Sequence, residues 1–167
     1  VLVPTPQELE HATEGLQRLG EHLQIELCGF GPIAAAAKTA SLISTIKPHE
    51  VLLLGTAGAL DDNLVIGRAH QFAQVACYGV GVGSGAAYQT AGQMGWAHWP
   101  YSPRIGDVLQ LRTTPSVGHM LDQLLTACAA ACGPDQTDDL RWRLEKFPRA
   151  RAEDMEGFSV AVACQLA

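Results

Sequence analysis

Apolar positions in the first sixty residues alternate between short runs and helical stripes. Val1-Leu2-Val3 is a short apolar strand, turned by Pro4-Thr5-Pro6. Leu9, Ala12, Leu16 and Leu19 then recur at helical spacing, with Pro6 early and Gln7 and Glu8 in the first turn. A helix is therefore expected from about Thr5 to a stop at Gly20. Leu23 to Leu27 is the second expected strand. Cys28-Gly29-Phe30-Gly31-Pro32 turns into an alanine-dense helix from Ile33 to about Ile46, which Lys47-Pro48 stops. Val51-Leu52-Leu53-Leu54 is a continuous apolar run, as in a parallel strand covered on both faces, and it ends in Gly55-Thr56-Ala57-Gly58-Ala59. Strand–helix–strand–helix–strand implies right-handed βαβ crossovers and a layered α/β fold.

Farther along, His70 to Cys77 has the pattern of a strand, and Gly106-Asp107-Val108-Leu109-Gln110-Leu111 begins another. Leu124 to Cys132 is an apolar, alanine-rich strand or strand-to-loop element. Asp135 to Lys146 is an amphipathic helix, with Leu140 and Leu144 inward and Asp138, Asp139, Arg141 and Arg143 outward; Phe147-Pro148 closes it. Ala150 to Ala152 lead into Glu153-Asp154-Met155-Glu156-Gly157-Phe158, a strand end running into a helix whose Phe158, Val160, Val162 and Ala163 face a core. Between Tyr78 and Gly85 glycine stands at every second position. That run lacks the Gly-Lys-Ser/Thr ending of a P-loop and the spacing of a dinucleotide fingerprint, so a flexible loop or lid is expected rather than a phosphate cradle. Trp96, Trp99 and Tyr101 gather three aromatics suited to stacking on an aromatic ligand or to an interface.

Composition narrows the classes. A chain of 167 residues is one domain by length, and 47% hydrophobic with 17% charged residues supports a large core. A formal charge of -6 without a basic stripe argues against a nucleic-acid binder. No apolar stretch approaches the roughly 20 residues of a membrane span, and no signal peptide is expected at Val1-Leu2-Val3-Pro4, which reads as a strand followed by a turn. The five cysteines suit a reduced, cytoplasmic protein better than a disulfide framework. Cys128 and Cys132 have no matching His or second Cys pair, so no metal site is expected.

Ligands of open α/β sheets bind at the carboxyl edge of the strands, where Pro4 to Glu8, Gly29 to Gly31 and Gly55 to Gly58 converge. Each glycine cluster has an alternative as a simple tight turn, stronger for Gly29-x-Gly31 than for Gly55-Thr56-Ala57-Gly58. The Met155-Glu156 pair suits a sugar, the carboxylate gripping hydroxyls and the thioether sliding under an apolar ring face. The alternative is that Glu153, Asp154 and Glu156 only complement a helix dipole.

Four stretches occur in an order that resembles the purine nucleoside phosphorylase and nucleosidase superfamily. They are Val1-Leu2-Val3-Pro4-Thr5-Pro6-Gln7-Glu8, Cys28-Gly29-Phe30-Gly31-Pro32-Ile33-Ala34-Ala35-Ala36, Lys47-Pro48 through Gly55-Thr56-Ala57-Gly58-Ala59-Leu60, and Phe147-Pro148 through Asp154-Met155-Glu156-Gly157. The likeness is greatest to the hydrolytic branch, the futalosine hydrolases and methylthioadenosine/S-adenosylhomocysteine nucleosidases. It implies a three-layer αβα fold around a central mixed, mostly parallel sheet, and hydrolysis of the N-ribosidic bond of a purine nucleoside. By the same resemblance Glu8 activates the attacking water, and Thr56, Ala57 and Gly58 line the base and ribose site. Met155 packs on the ribose and Glu156 binds its hydroxyls. No cofactor is implied. The partners implied are a small nucleoside and further copies of the chain, in a dimer or higher homo-oligomer with Trp96 to Tyr101 as contact or pocket wall. Ala167 falls before the family's C-terminal strand, which ends in Ser-Asp, and before its final helix. The expectation is a single nucleosidase-like domain over 1–167, incomplete at its C-terminus, or a pared-down member whose acid comes from elsewhere. Arg68 and Arg104 are the only arginines between residues 19 and 111 and neither sits in a phosphate-binding motif, which favours water over phosphate. A phosphorylase, and a nucleoside-binding relative without catalysis, remain the alternatives.

Overall fold

The computed structural model describes residues 1–17, 23–101, 105–113, 119–131 and 137–167. The chain enters through β1 (Leu2–Val3) and α1 (Pro6–Gln17), and β2 (Glu26–Leu27) returns parallel to β1. The second expected strand shrinks from Leu23–Leu27 to the two residues that pair with β1. α2 (Gly31–Ile46) follows and ends on Lys47, whose φ of 51° places it in the left-handed region and lets its N–H cap the Ile43 carbonyl. The run Val51 to Leu54 then comes back beside β1: the Leu2 N–H donates to Leu52 (2.7 Å) and the Leu54 N–H to Leu2 (2.9 Å). This third strand is a single parallel bridge at Leu53 rather than a ladder covered on both faces, for Leu52 is 53% exposed.

Next come β3 (Gly58–Ala59), β4 (His70–Tyr78) and a hairpin of β5 (Gly81–Val82) with β6 (Gln89–Thr90). The glycine-rich run, expected as a flexible loop, is thus an ordered hairpin. Its glycine is used for close approach, since a Cβ on Gly81 would overlap the Gln89 carbonyl oxygen. β7 (Val108–Gln110), β8 (His119–Ala127), α3 (Thr137–Lys146), β9 (Ala150–Asp154) and α4 (Gly157–Leu166) complete the chain. The main sheet runs β3-β9-β8-β4-β7. β8 is parallel to both neighbours, while β3 and β7 join antiparallel at the edges. The expected helix stop at Gly20, together with Leu19, Arg104, Cys132 and Asp135, lies outside the described residues.

Period-two alternation sorts the strands onto two covered faces. Val75, Cys77 and Leu124 pack with Phe158 and Ala161 of α4 on one side. Ala76 and Leu125 pack with Leu144 and Phe147, in and after α3, on the other. Val160 ties α4 to Leu2, Cys28, Ala35 and Leu42, and α2 lies against α4. The result is the three-layer αβα architecture with a mixed sheet that the sequence implies. One side chain is turned round. Arg143, expected outward on α3, is buried, because it reaches a carboxylate on β9 as well as Asp139 one helical turn away. Among the described residues no helix is long and apolar enough to cross a membrane.

Leu125 is fully buried between the sheet and α3. Leu125→Ala is expected to lower unfolding stability by about 2–5 kcal/mol, through lost transfer energy and a residual cavity. Denaturant titration should show a lower midpoint with an unchanged slope.

Candidate functional site

The parallel strands deliver their carboxyl ends to one edge, at Pro4, Cys28, Gly55 and Met155, and α1, α2 and α4 start there. At the first of these ends Thr5-x-x-Glu8 opens α1. The Glu8 N–H donates to Thr5 Oγ1 (3.3 Å), whose hydroxyl donates in turn to Glu8 Oε2 (2.7 Å). Glu8 Oε1 accepts both the Thr56 N–H and the Thr56 hydroxyl, each at 2.8 Å. Gly55 permits that approach, since a Cβ there would stand 3.1 Å from Glu8 Oε1 and 3.3 Å from the Pro4 ring. Burial pushes the Glu8 carboxyl up, but the hydrogen bonds from Thr56 and Thr5 outweigh it and hold the group below the usual carboxylate range. A carboxylate has about four lone-pair sites, so two hydroxyl donors and one backbone N–H leave one, on Oε2.

Glu156, at the start of α4, is buried and points away from its own helix. Its Oε1 accepts the Gly31 N–H at the start of α2 (2.7 Å), and its Oε2 accepts the Met155 N–H (3.3 Å). Burial raises this carboxyl, the two N–H groups oppose the rise, and the charge of Glu8 adds to it. The two carboxylates therefore sense each other across one crevice. The Cys28 thiol lies in the same field: burial first, then Glu156, Glu8 and Asp154, push it up to about 11, so it stays neutral.

Asp154 is the residue that serves the helix. Its Oδ2 accepts the Gly157 N–H (2.7 Å) and its Oδ1 the Thr126 hydroxyl (2.6 Å), while Thr126 Oγ1 accepts the Phe158 N–H (2.8 Å). Burial above all, with a contribution from Glu156, raises Asp154 to about 6. Of the three acids near this helix start, only Asp154 caps it. Glu153 and Glu156 reach other segments.

The structure thus brings Glu8, Thr56 and Glu156 together. Met155 is half-buried between Asp154 and Glu156, and Ala57 is exposed beside Thr56. Gly58 has turned into β3 and pairs with Glu153, backing the crevice from the sheet. Trp96, Trp99 and Tyr101 are exposed, with the rings of Trp99 and Tyr101 6.0 Å apart. His98 between them turns inward, bonding Asp107 (3.1 Å) and packing on Phe158. Thr5 as a carboxylate donor was legible in its Thr-x-x-Glu spacing. The Gly31–Glu156 bond, spanning 125 positions, has no local signal. Among the described residues no group of three or more His, Cys, Asp or Glu could hold a metal ion.

The chain matches the phosphorylase superfamily model over residues 15–167, which leaves Glu8 outside the match. It is 27% identical over 154 residues to the 5′-methylthioadenosine/S-adenosylhomocysteine nucleosidase of Shewanella oneidensis, covering 87% of this chain and 61% of that protein. To the Staphylococcus aureus enzyme of the same name it is 26% identical over 137 residues, covering 81% and 59%. The chain thus spans about three-fifths of the length of these curated relatives. Among solved structures, the Neisseria meningitidis nucleosidase of that name in complex with methylthio-immucillin-A superposes with a TM-score of 0.72 at 17% identity, covering 99% of this chain and 78% of that one. A futalosine hydrolase mutant of Helicobacter pylori gives 0.70 at 17% identity, covering 99% and 82%. At these identities the structural likeness is one of fold.

Asp154 yields a pH prediction. Its folded value near 6 exceeds the ordinary 3.8, so between pH 4 and 6 the folded state holds a proton that the unfolded chain gives up. Stability from this group is present at low pH and lost as pH rises, by up to ~3 kcal/mol at neutrality. Asp154→Asn keeps an acceptor for the Gly157 N–H without the charge. The stability of the wild type relative to this variant should fall from pH 4 to pH 7 in denaturant titrations, and a pH-independent difference would contradict the assignment.

Proposed function

The chain belongs to the phosphorylase superfamily, and from that premise we propose that the protein hydrolyses the N-ribosidic bond of a purine nucleoside of the methylthioadenosine or futalosine kind. The observation that carries this reading is the pair of carboxylates on one crevice, held differently by their donors. Glu8 is ionised at neutral pH and keeps one free lone pair, on Oε2, where a water can be oriented. Glu156 has only two backbone donors, one of them long, and so retains acceptor capacity for two vicinal hydroxyls.

In the proposed reaction the bond from the anomeric carbon to the base nitrogen lengthens and the base takes the electron pair. The ribose becomes oxocarbenium-like, and the two carboxylates stabilise its positive charge. Water adds its oxygen to the anomeric carbon and gives a proton to Glu8, which returns it to solvent, while the departing base takes up one proton from solvent. Thr56, Ala57 and Gly58 line the base and ribose, and the Met155 thioether lies against the sugar face. The same reading makes the protein a cytoplasmic, cofactor-free homo-oligomer in which residues 1–167 form one nucleosidase-like domain, incomplete at its C-terminus, acting on a small nucleoside and not on nucleic acid or membrane. The exposed Trp96, Trp99 and Tyr101 are its candidate subunit contact or pocket wall. Arg68 is exposed and Arg143 is held by its own carboxylates, which supports water over phosphate as the nucleophile.

Glu8→Gln is expected to lower kcat by about 10²–10⁴-fold while leaving nucleoside binding within a few-fold. Wild-type release of free base, followed chromatographically, should be the same with and without inorganic phosphate. Full activity of Glu8→Gln would remove Glu8 from the mechanism. Phosphate-dependent release of ribose 1-phosphate would establish a phosphorylase instead.

A further inference from the structure

A second buried carboxylate system stands one residue from the site and has no part in the chemistry just described. Glu153 and Arg143 are 4% and 5% exposed and pair at 2.8 Å. Arg143 also donates to the Ala129 carbonyl (3.0 Å), binds Asp139 through Nε (2.8 Å) and Nη2 (2.6 Å), and lies over the Tyr78 ring at 4.9 Å. Glu153 Oε1 accepts the Ala131 N–H at 2.6 Å. On its other side Glu153 faces Gly58, its register partner across β3 and β9, where an added Cβ would stand 3.4 Å from Glu153 Cγ. One side chain therefore touches the two segments that flank β9: the end of the Gly55–Gly58 loop and the backbone that leaves the carboxyl end of β8.

Stability alone is a poor reason for such a pair. Well-packed apolar residues of similar volume often replace a buried ion pair at no cost, whereas in some proteins the pair is kept for the specific geometry it holds. What it holds is the backbone at Ala129 and Ala131, next to the β9 strand that pairs with Gly58. Glu156, on the proposed reading, holds the sugar between the end of β9 and the start of α2. On that reading the base, lined on the β3 side of β9 by Thr56, Ala57 and Gly58, has the end of β8 as its other wall, where Ala129 and Ala131 are pinned. We propose that Arg143 and Glu153 are positioning residues that set the base-binding wall, through Ala129, Ala131 and Gly58, and so govern nucleoside affinity rather than bond cleavage. This rests on the nucleosidase reading.

The test is the double variant Arg143→Met/Glu153→Val, which fills the same space with apolar groups and removes both backbone hydrogen bonds. With Tm within roughly 5 °C of wild type, KM for the nucleoside should rise about tenfold or more while kcat stays within about threefold. Amide exchange of Ala131 should also accelerate by at least about tenfold, beyond any global change. Unchanged KM in the folded double variant, or a loss confined to kcat, would overturn the proposal. If the double variant does not fold, Glu153→Asp decides: it keeps the charge but is too short to hold Arg143 and Ala131 together, so KM should rise, and a wild-type KM overturns the proposal. A wild-type protein that releases no base from any nucleoside sinks the nucleosidase reading and the affinity claim with it. Ala131 exchange then still decides the positioning claim, which fails if the amide is equally protected in wild type and variant.

Discussion

A carboxylate withdrawn from water must be given hydrogen-bond donors, and that constraint organises the carboxyl edge of this sheet. Four acids collect there, and each takes a backbone N–H from a different stretch of chain. Glu8 takes Thr56, Glu153 takes Ala131, Asp154 takes Gly157 and Glu156 takes Gly31. Three of these bonds reach another segment, and the fourth starts α4 beside them. The loops that line the crevice are thereby tied to one another through charge-assisted hydrogen bonds, which are stronger than neutral ones. The crevice wall is fixed by electrostatic need as much as by apolar packing.

The same constraint separates the roles of the two acids that face the crevice. Glu8 is half-buried and Glu156 is buried, so desolvation raises both. Glu8 has Thr5 and both donors of Thr56, and the balance falls below the ordinary carboxylate value. Glu156 has two backbone donors and a like charge across the crevice, and its balance falls above it. One acid is thus firmly ionised with little acceptor capacity left. The other is less committed and has capacity to spare, which is the division the proposed hydrolysis asks of a water-binding group and a sugar-binding group.

Much of the architecture was legible because hydrophobic period reports burial directly. β4 alternates onto two covered faces as its pattern implies, whereas β8 starts at His119, five residues before the apolar run at Leu124, and ends at Ala127; the Thr-x-x-Glu and Asp-Met-Glu-Gly stretches stand where strands give way to helices. The first strands came out shorter than their apolar runs, because pairing length is set by both partners and not by one run alone. The glycines after Tyr78 suggested mobility, yet their lack of a side chain is what lets β5 lie on β6. Arg143 was misread for a related reason. Asp139 and Arg143 at i, i+4 resemble a solvated surface pair on any helix. Only the folded sheet reveals Glu153 beneath them, and no local pattern encodes a partner on another element.

The central claim is that water, rather than phosphate, attacks the anomeric carbon of a nucleoside, and incubation in ¹⁸O-labelled water tests it most directly. Hydrolysis predicts one ¹⁸O atom in the released ribose moiety and none in the base, by mass spectrometry of products formed in the absence of phosphate. Sugar released without label, or appearing only as a phosphate ester, would contradict it.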